Sequence, residues 1–171
     1  EELFIPVGNA GNITAYWKGF KEYNSIKGQG LPRMMGFEAS GAAPIALGHP
    51  VDNPDTVASA IRIGNPASWE SAELARDQSN GLIDTVTDDQ IIESWKNLAR
   101  REGIFCEPAS ASSLAGLLKL VSQGVDLSGH RIVCVITGNG LKDPTFAADS
   151  ADSQPVNANG DLSSVAQVLG L

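Results

Sequence analysis

Ile5-Pro6-Val7-Gly8-Asn9-Ala10-Gly11-Asn12-Ile13-Thr14 is the stretch that decides the fold of this 171-residue chain. An apolar run at residues 3–7 ends in two glycines, Gly8 and Gly11, that bracket small residues. A helical pattern follows at once, with Ile13, Ala15, Tyr16, Trp17 and Phe20 at the apolar positions. A strand, a glycine turn and a helix N-terminus in succession present free backbone N–H groups to an anion at the positive end of a helix dipole. Glycine permits positive φ and lets the backbone approach a ligand with no Cβ in the way. The stretch therefore predicts an anion cradle over Gly8, Asn9, Ala10, Gly11 and Asn12. It is not a Walker loop, because no Gly-Lys-Ser/Thr follows, and it lacks the spacing of a dinucleotide fingerprint.

The same alternation of short β-branched runs with amphipathic segments continues along the chain, as in a parallel α/β sheet. Strands are expected at 3–7, 33–38, 81–86, 104–106 and 131–136. The last of these, containing Ile132-Val133-Cys134-Val135-Ile136, reads as fully buried. Helices are expected at 13–23, 40–47, 68–78, 88–101, 109–123 and 162–169, the last docking on the domain. Ser68 and Thr87 are candidate N-caps. Asp88 and Asp89 at one end of the 88–101 helix and Arg100 and Arg101 at the other match its dipole. Gly103 and Gly124 close helices, and residues 26–31 form a loop. Asn53-Pro54-Asp55 and Asn65-Pro66 are turns, flanking a stretch at 60–63 of open type. Beyond Pro144 the chain turns polar and low in structure. The fold class is α/β: an open, mostly parallel sheet with helices on both faces. The ligand-bearing strand ends of such a sheet share one side, so the turns at 8–12 and 137–140 belong to one rim.

Composition narrows the functional classes. The chain is 42% apolar and 19% charged, within the range of one globular domain with a sizeable core. Its net charge of −8 argues against nucleic acid as a partner. No apolar run is long enough for a bilayer, and the acidic start lacks a signal-peptide pattern, so no membrane partner and a cytoplasmic location are expected. Cys106 and Cys134 lie in apolar runs and read as buried thiols of a reducing compartment. His49 and His130 sit in loop-like contexts that do not suggest a metal centre. Trp17, Trp69 and Trp95 fall at helical positions, as core or interface residues. The chain opens on Glu1-Glu2 without Met and enters a strand directly, so it is expected to be the C-terminal part of a longer polypeptide.

Three segments taken together resemble one enzyme family. Gly8-Asn9-Ala10-Gly11-Asn12, Glu107-Pro108-Ala109-Ser110-Ala111-Ser112 and Thr137-Gly138-Asn139-Gly140-Leu141-Lys142-Asp143-Pro144 are similar to the motifs of the threonine synthases. These are pyridoxal-phosphate enzymes of the tryptophan-synthase-β, or type II, fold. The resemblance runs from Leu3 to about Pro144 and implies that residues 1–145 are the C-terminal part of the cofactor-binding large domain, with 146–171 a polar tail carrying a short terminal helix. It implies that Gly8, Asn9, Ala10, Gly11 and Asn12 hold the phosphate of pyridoxal 5'-phosphate. It implies further that the Thr137 hydroxyl donates to the unprotonated pyridine nitrogen. Glu107 is a candidate one step removed from the cofactor, and so is Asn139, which with Lys142 is expected to shape the turn.

The family's Schiff-base lysine, carried in a Ser/Thr-Phe-Lys-Asp type segment, has no counterpart here, nor does its Ser-Gly-Asn-Thr segment. Lys18, Lys21, Lys27, Lys96, Lys119 and Lys142 lie on helix surfaces, in a loop or in the terminal turn. The resemblance thus implies no catalytic residue in this chain. It also implies O-phospho-L-homoserine as the substrate of a complete enzyme, a missing N-terminal part as partner, a homodimer, and inactivity of the chain alone. Three other readings stay open. One is another type II enzyme, such as a cysteate synthase or threonine dehydratase relative. Another is a non-catalytic phosphate-binding fragment. The third is a nucleotide-binding α/β domain with Glu38 near the position of a ribose-binding acid.

Overall fold

β1 (Glu2–Pro6) occupies the interior of a parallel four-stranded sheet because its side chains are buried on both faces, as parallel sheets flanked by helices require. The computed structural model describes residues 1–151 and 156–171. β1 pairs with β2 (Arg33–Ala39), Leu3 opposite Met34 and Ile5 opposite Gly36, and on its other side with β4 (Ile132–Cys134), Phe4 opposite Cys134. β3 (Leu82–Val86) extends β2, so the order is β3-β2-β1-β4.

The two-residue period of the strands divides the core into layers. Leu3, Ile5, Val7, Met34 and Ile83 face α1 (Gly11–Lys27) and α3 (Trp69–Gln78), meeting Ile13, Trp17, Ala72 and Ala75. Phe4, Met35, Phe37 and Val86 face α4 (Asp88–Asn97) and α5 (Pro108–Ser122), meeting Ile91, Trp95, Ala111, Ala115 and Leu120. The Phe4 and Phe37 rings stack with centroids 5.8 Å apart. Thr87 caps α4 through a reciprocal pair with Gln90, as its sequence context suggested, and Gly103 ends the following π-turn in the left-handed region. Trp17 and Trp95 are core residues, their indoles donating to Gln78 Oε1 and to the Cys106 carbonyl.

Several sequence expectations need correction. The run at 131–136 is not a fully buried strand: β4 covers three residues at the sheet edge and Val133 is 51% exposed. Residues 104–106 do not join the sheet. Ile104 N donates to the Leu98 carbonyl, while the Phe105 carbonyl accepts from Gly140 N and Cys106 forms an isolated antiparallel bridge with Asn139. The helix expected over 40–47 shrinks to α2 (Pro44–Leu47), because proline at the first helical position fixes its start and Ala39 and Ala42 form a tight bridge before it. α1 runs on to Lys27, consuming the start of the expected 26–31 loop. Residues Ser59–Ile61 form a 3-10 turn, and Ser68 precedes α3 without a capping side-chain bond. Past Pro144 the chain is not low in structure. α6 (Pro144–Ser150) sets Phe146 edge-on against Trp95, centroids 5.2 Å apart. α7 (Leu162–Leu169) forms as expected, capped by Asp161, but none of its residues is buried. Among the described residues no helix is long and apolar enough to cross a membrane.

Candidate functional site

Three chain segments converge at the C-terminal ends of β1 and β4. The turn at 8–12, the start of α5 and the turn after β4 line one cavity of about 350 Å³. Pro6, Gly8, Asn9, Ala10, Gly11 and Asn12 form one wall, Ala60 and Ile61 close over it, and Glu107, Ala109, Thr137 and Lys142 form the rest.

Sterics and hydrogen bonding shape the 8–12 turn. A Cβ at Gly8 would lie 2.8 Å from Ile61 Cα, so only glycine lets the 3-10 turn cover this wall. A Cβ at Gly11 would meet nothing within 4 Å, so the room at that position is open space beside the cavity. Positive φ is found at neither glycine. It falls on Ala10, at φ 62°, which precedes α1 and whose carbonyl accepts from both the amide and the hydroxyl of Thr14. This conformation costs an alanine about 1–2 kcal/mol. Asn9 ties the wall to the loop before α3, accepting from Ala67 N at 2.7 Å and Ser68 N at 3.3 Å. The N–H groups of Gly8, Asn9, Ala10, Gly11 and Asn12 find no acceptor among the described residues. That is the state of a helix start left open for an anion.

The turn after β4 is closed instead. Ser110, fully buried in the first turn of α5, accepts from Thr137 N at 3.0 Å and Gly138 N at 2.8 Å, and its Oγ lies 2.9 Å from Thr137 Oγ1. Glu107 N donates to the Gly138 carbonyl at 3.0 Å, and Gly140 N to that of Phe105 at 3.1 Å. A Cβ at Gly138 would run into the Glu107 carboxylate, which is why the two segments can lie so close. Asn139 turns its Oδ1 back to Leu141 N at 2.9 Å and shapes the turn from outside the cavity lining. Lys142 lines the cavity with its ammonium 3.8 Å from Glu107 Oε1, so it does more than shape the turn.

Glu38 has no part in this cavity. Its buried carboxylate accepts from Ile45 N at 3.3 Å and Ala46 N at 2.8 Å at the start of α2. Burial pushes its pKa up to about 7 against the opposing pull of the Ala46 and Ile45 amides. This placement removes it as a ribose-binding acid. Burial likewise pushes the free thiols of Cys106 and Cys134 up to about 11. Ser110 escaped the sequence reading. It stands inside a quoted motif, but its partners lie 27 and 28 residues away, a relation that no local spacing displays.

A parallel sheet with an open helix start and a hydroxyl-bearing turn on one rim defines a class of cofactor-binding α/β protein. The family described as "Pyridoxal-phosphate dependent enzyme" matches residues 1–138, and the chain belongs to it. Among curated relatives, the threonine synthase of Halalkalibacterium halodurans is 58% identical over 153 residues, covering 90% of this chain and 43% of that protein. That of a Synechocystis strain is 54% identical, covering 98% and 44%, and that of Mycobacterium tuberculosis 52% identical, covering 98% and 46%. The chain thus spans less than half the length of these relatives. Solved structures agree on the fold. Maize serine racemase superposes with a TM-score of 0.67 at 18% identity, covering 86% of this chain and 45% of its own. The processed form of threonine deaminase isoform 2 from Solanum lycopersicum superposes with a TM-score of 0.64 at 20% identity, covering 99% and 41%.

Proposed function

We propose that this chain is the C-terminal part of an enzyme that converts O-phospho-L-homoserine and water to L-threonine and phosphate. The observation that carries the reading is the single cavity onto which the open 8–12 turn and Thr137 both face, in a chain more than half identical to threonine synthases. Its residues fit pyridoxal 5'-phosphate. Five N–H groups with no acceptor among the described residues and the open space at Gly11 suit a dianionic phosphate, and each charge-assisted bond contributes about 1.5–3 kcal/mol. The Thr137 hydroxyl supplies a donor for the pyridine nitrogen at the other wall.

When bound, the cofactor provides an electron sink for carbanion formation on an amino-acid substrate. Thr137 would set how strong that sink is, because a neutral hydroxyl would donate to the ring nitrogen without holding it as a pyridinium. The 8–12 turn would anchor and orient the ring through its phosphate. Lys142 and Glu107, paired at the cavity wall, fix local charge. Among the described residues, Lys142 is the lysine that lines the cavity. We assign the covalent anchor and proton carrier to the part of the enzyme outside this chain, and expect the chain alone to release no phosphate.

Within the complete enzyme, residues 1–145 belong to the cofactor-binding large domain and 146–171 form its C-terminal tail. A cytoplasmic homodimer completes the reading. The unpaired thiols, Cys106 buried and Cys134 half-buried, suit a reducing compartment, and the mass of the assembled protein tests the dimer. Assay of the full-length protein with O-phosphohomoserine, phosphoserine and threonine tests the activity. Phosphate and threonine formed from the first alone support it. Turnover of phosphoserine or deamination of threonine in its place would assign the chain to another enzyme of the same fold.

A further inference from the structure

The proton of Thr137 has a direction, and Ser110 sets it. A hydroxyl carries one proton and two acceptor lone pairs. Ser110 Oγ accepts from Thr137 N at 3.0 Å and Gly138 N at 2.8 Å, so both its lone pairs are taken. Its contact with Thr137 Oγ1 at 2.9 Å therefore runs in one sense only, with Ser110 donating. The Gly138 carbonyl, the other acceptor in reach of that proton, is farther at 3.4 Å. Thr137 Oγ1 thus accepts from Ser110, and its own proton must leave in another direction. Thr137 lines the cavity, and Ser110 is fully buried behind it.

We infer that Ser110 is a positioning residue that fixes the Thr137 hydroxyl as a donor into the cavity. It thereby selects an unprotonated ring nitrogen as the partner, since a protonated one has no lone pair to accept. Two backbone amides saturate one side chain, and the tautomeric choice passes to the next hydroxyl as a one-way relay. This inference rests on the reading of the cavity as a pyridoxal-phosphate site. Ser110 touches no ligand itself and acts through Thr137.

Pyridoxine 5'-phosphate keeps the ring nitrogen and the phosphate but lacks the aldehyde, so it binds without covalent attachment. In the full-length protein, its affinity and the 15N resonance of its labelled ring nitrogen are measured for wild type, Thr137→Val, Ser110→Ala and the double variant. We expect Thr137→Val to weaken binding about tenfold and to move the ring-nitrogen resonance to that of a nitrogen without a donor. Ser110→Ala should move the resonance more than halfway to the same position, and in the Thr137→Val background it should cost nothing further. Faster amide exchange at Thr137 and Gly138 alone would follow from any structural role, whereas the resonance and the non-additivity would not. If Thr137→Val moves the resonance and Ser110→Ala does not, or if the two losses add, the relay is overturned and the site reading stands. If neither variant moves it, the assignment of Thr137 falls as well. Ser110→Cys retains a weaker donor and acceptor in the same place. Should the alanine variant not fold, a cysteine variant identical to wild type in both readouts overturns the relay, and a smaller shift of the same sign supports it.

Discussion

The turns after β1 and β4 stand at one rim and solve opposite problems. The 8–12 turn leaves five amides without acceptors among the described residues and holds Ala10 in a left-handed conformation. The 137–138 turn has its amides bound by Ser110, and only the Thr137 hydroxyl proton is left for the cavity. One wall offers many donors of no particular direction, suited to a phosphate. The other offers one directed hydroxyl donor, at Thr137, beside the paired Lys142 and Glu107, and that hydroxyl suits one ring atom. The end of β2 shows what a closed helix start looks like in the same fold, since the Glu38 carboxyl accepts from the Ile45 and Ala46 amides of α2 from within the protein.

That contrast can be broken at several points. The largest effect concerns the closed site. With its pKa raised from 4.5 to about 7, folded Glu38 binds more protons than the unfolded chain between those values. Stability should therefore fall by about 3 kcal/mol as pH rises through that window and level off above it. Urea unfolding at pH 4.5 and 8 measures this, and Glu38→Gln should flatten the profile. Next, Gly8→Ala drives a Cβ onto the Ile61 backbone and should cost about 1–3 kcal/mol in the same unfolding measurement.

Gly11→Ala separates function from folding. Its Cβ enters open space, so stability should stay within about 0.5 kcal/mol of wild type. Affinity for pyridoxine 5'-phosphate, read by titration calorimetry, should nevertheless drop about tenfold, the equivalent of one charge-assisted bond. The smallest change is Ala10→Gly. Relief of the positive φ should stabilise the chain by about 0.5–1 kcal/mol against unfolding, the gain reduced by the freer unfolded glycine.

Much of this was legible along the chain, and the exceptions share a cause. Gly-Asn-Ala-Gly-Asn could be read because strand, turn and helix start are consecutive, and the capping box at Thr87 and Gln90 because its members are three residues apart. The glycines mislead in one respect, since Gly8 answers a tertiary contact and the left-handed residue is Ala10. The run at 104–106 has strand composition, yet Phe105 and Cys106 pair with a turn more than thirty residues later. Ile-Val-Cys reads as buried because its residues are apolar and β-branched residues favour any strand, and composition does not say which strand lies at an edge. Ser110 is one serine in a small-residue helix until the fold sets it against Thr137 and Gly138. α7 shows a clear apolar pattern in sequence, but periodicity reports a face without reporting what covers it.

Amide chemical shifts during titration with pyridoxine 5'-phosphate test the central claim most directly. The account predicts concerted movement of the Gly8, Asn9, Ala10, Gly11 and Asn12 amides together with Thr137, with inorganic phosphate moving the first group alone. Saturable binding that leaves both groups unmoved, or that moves Thr137 without the 8–12 amides, would contradict it.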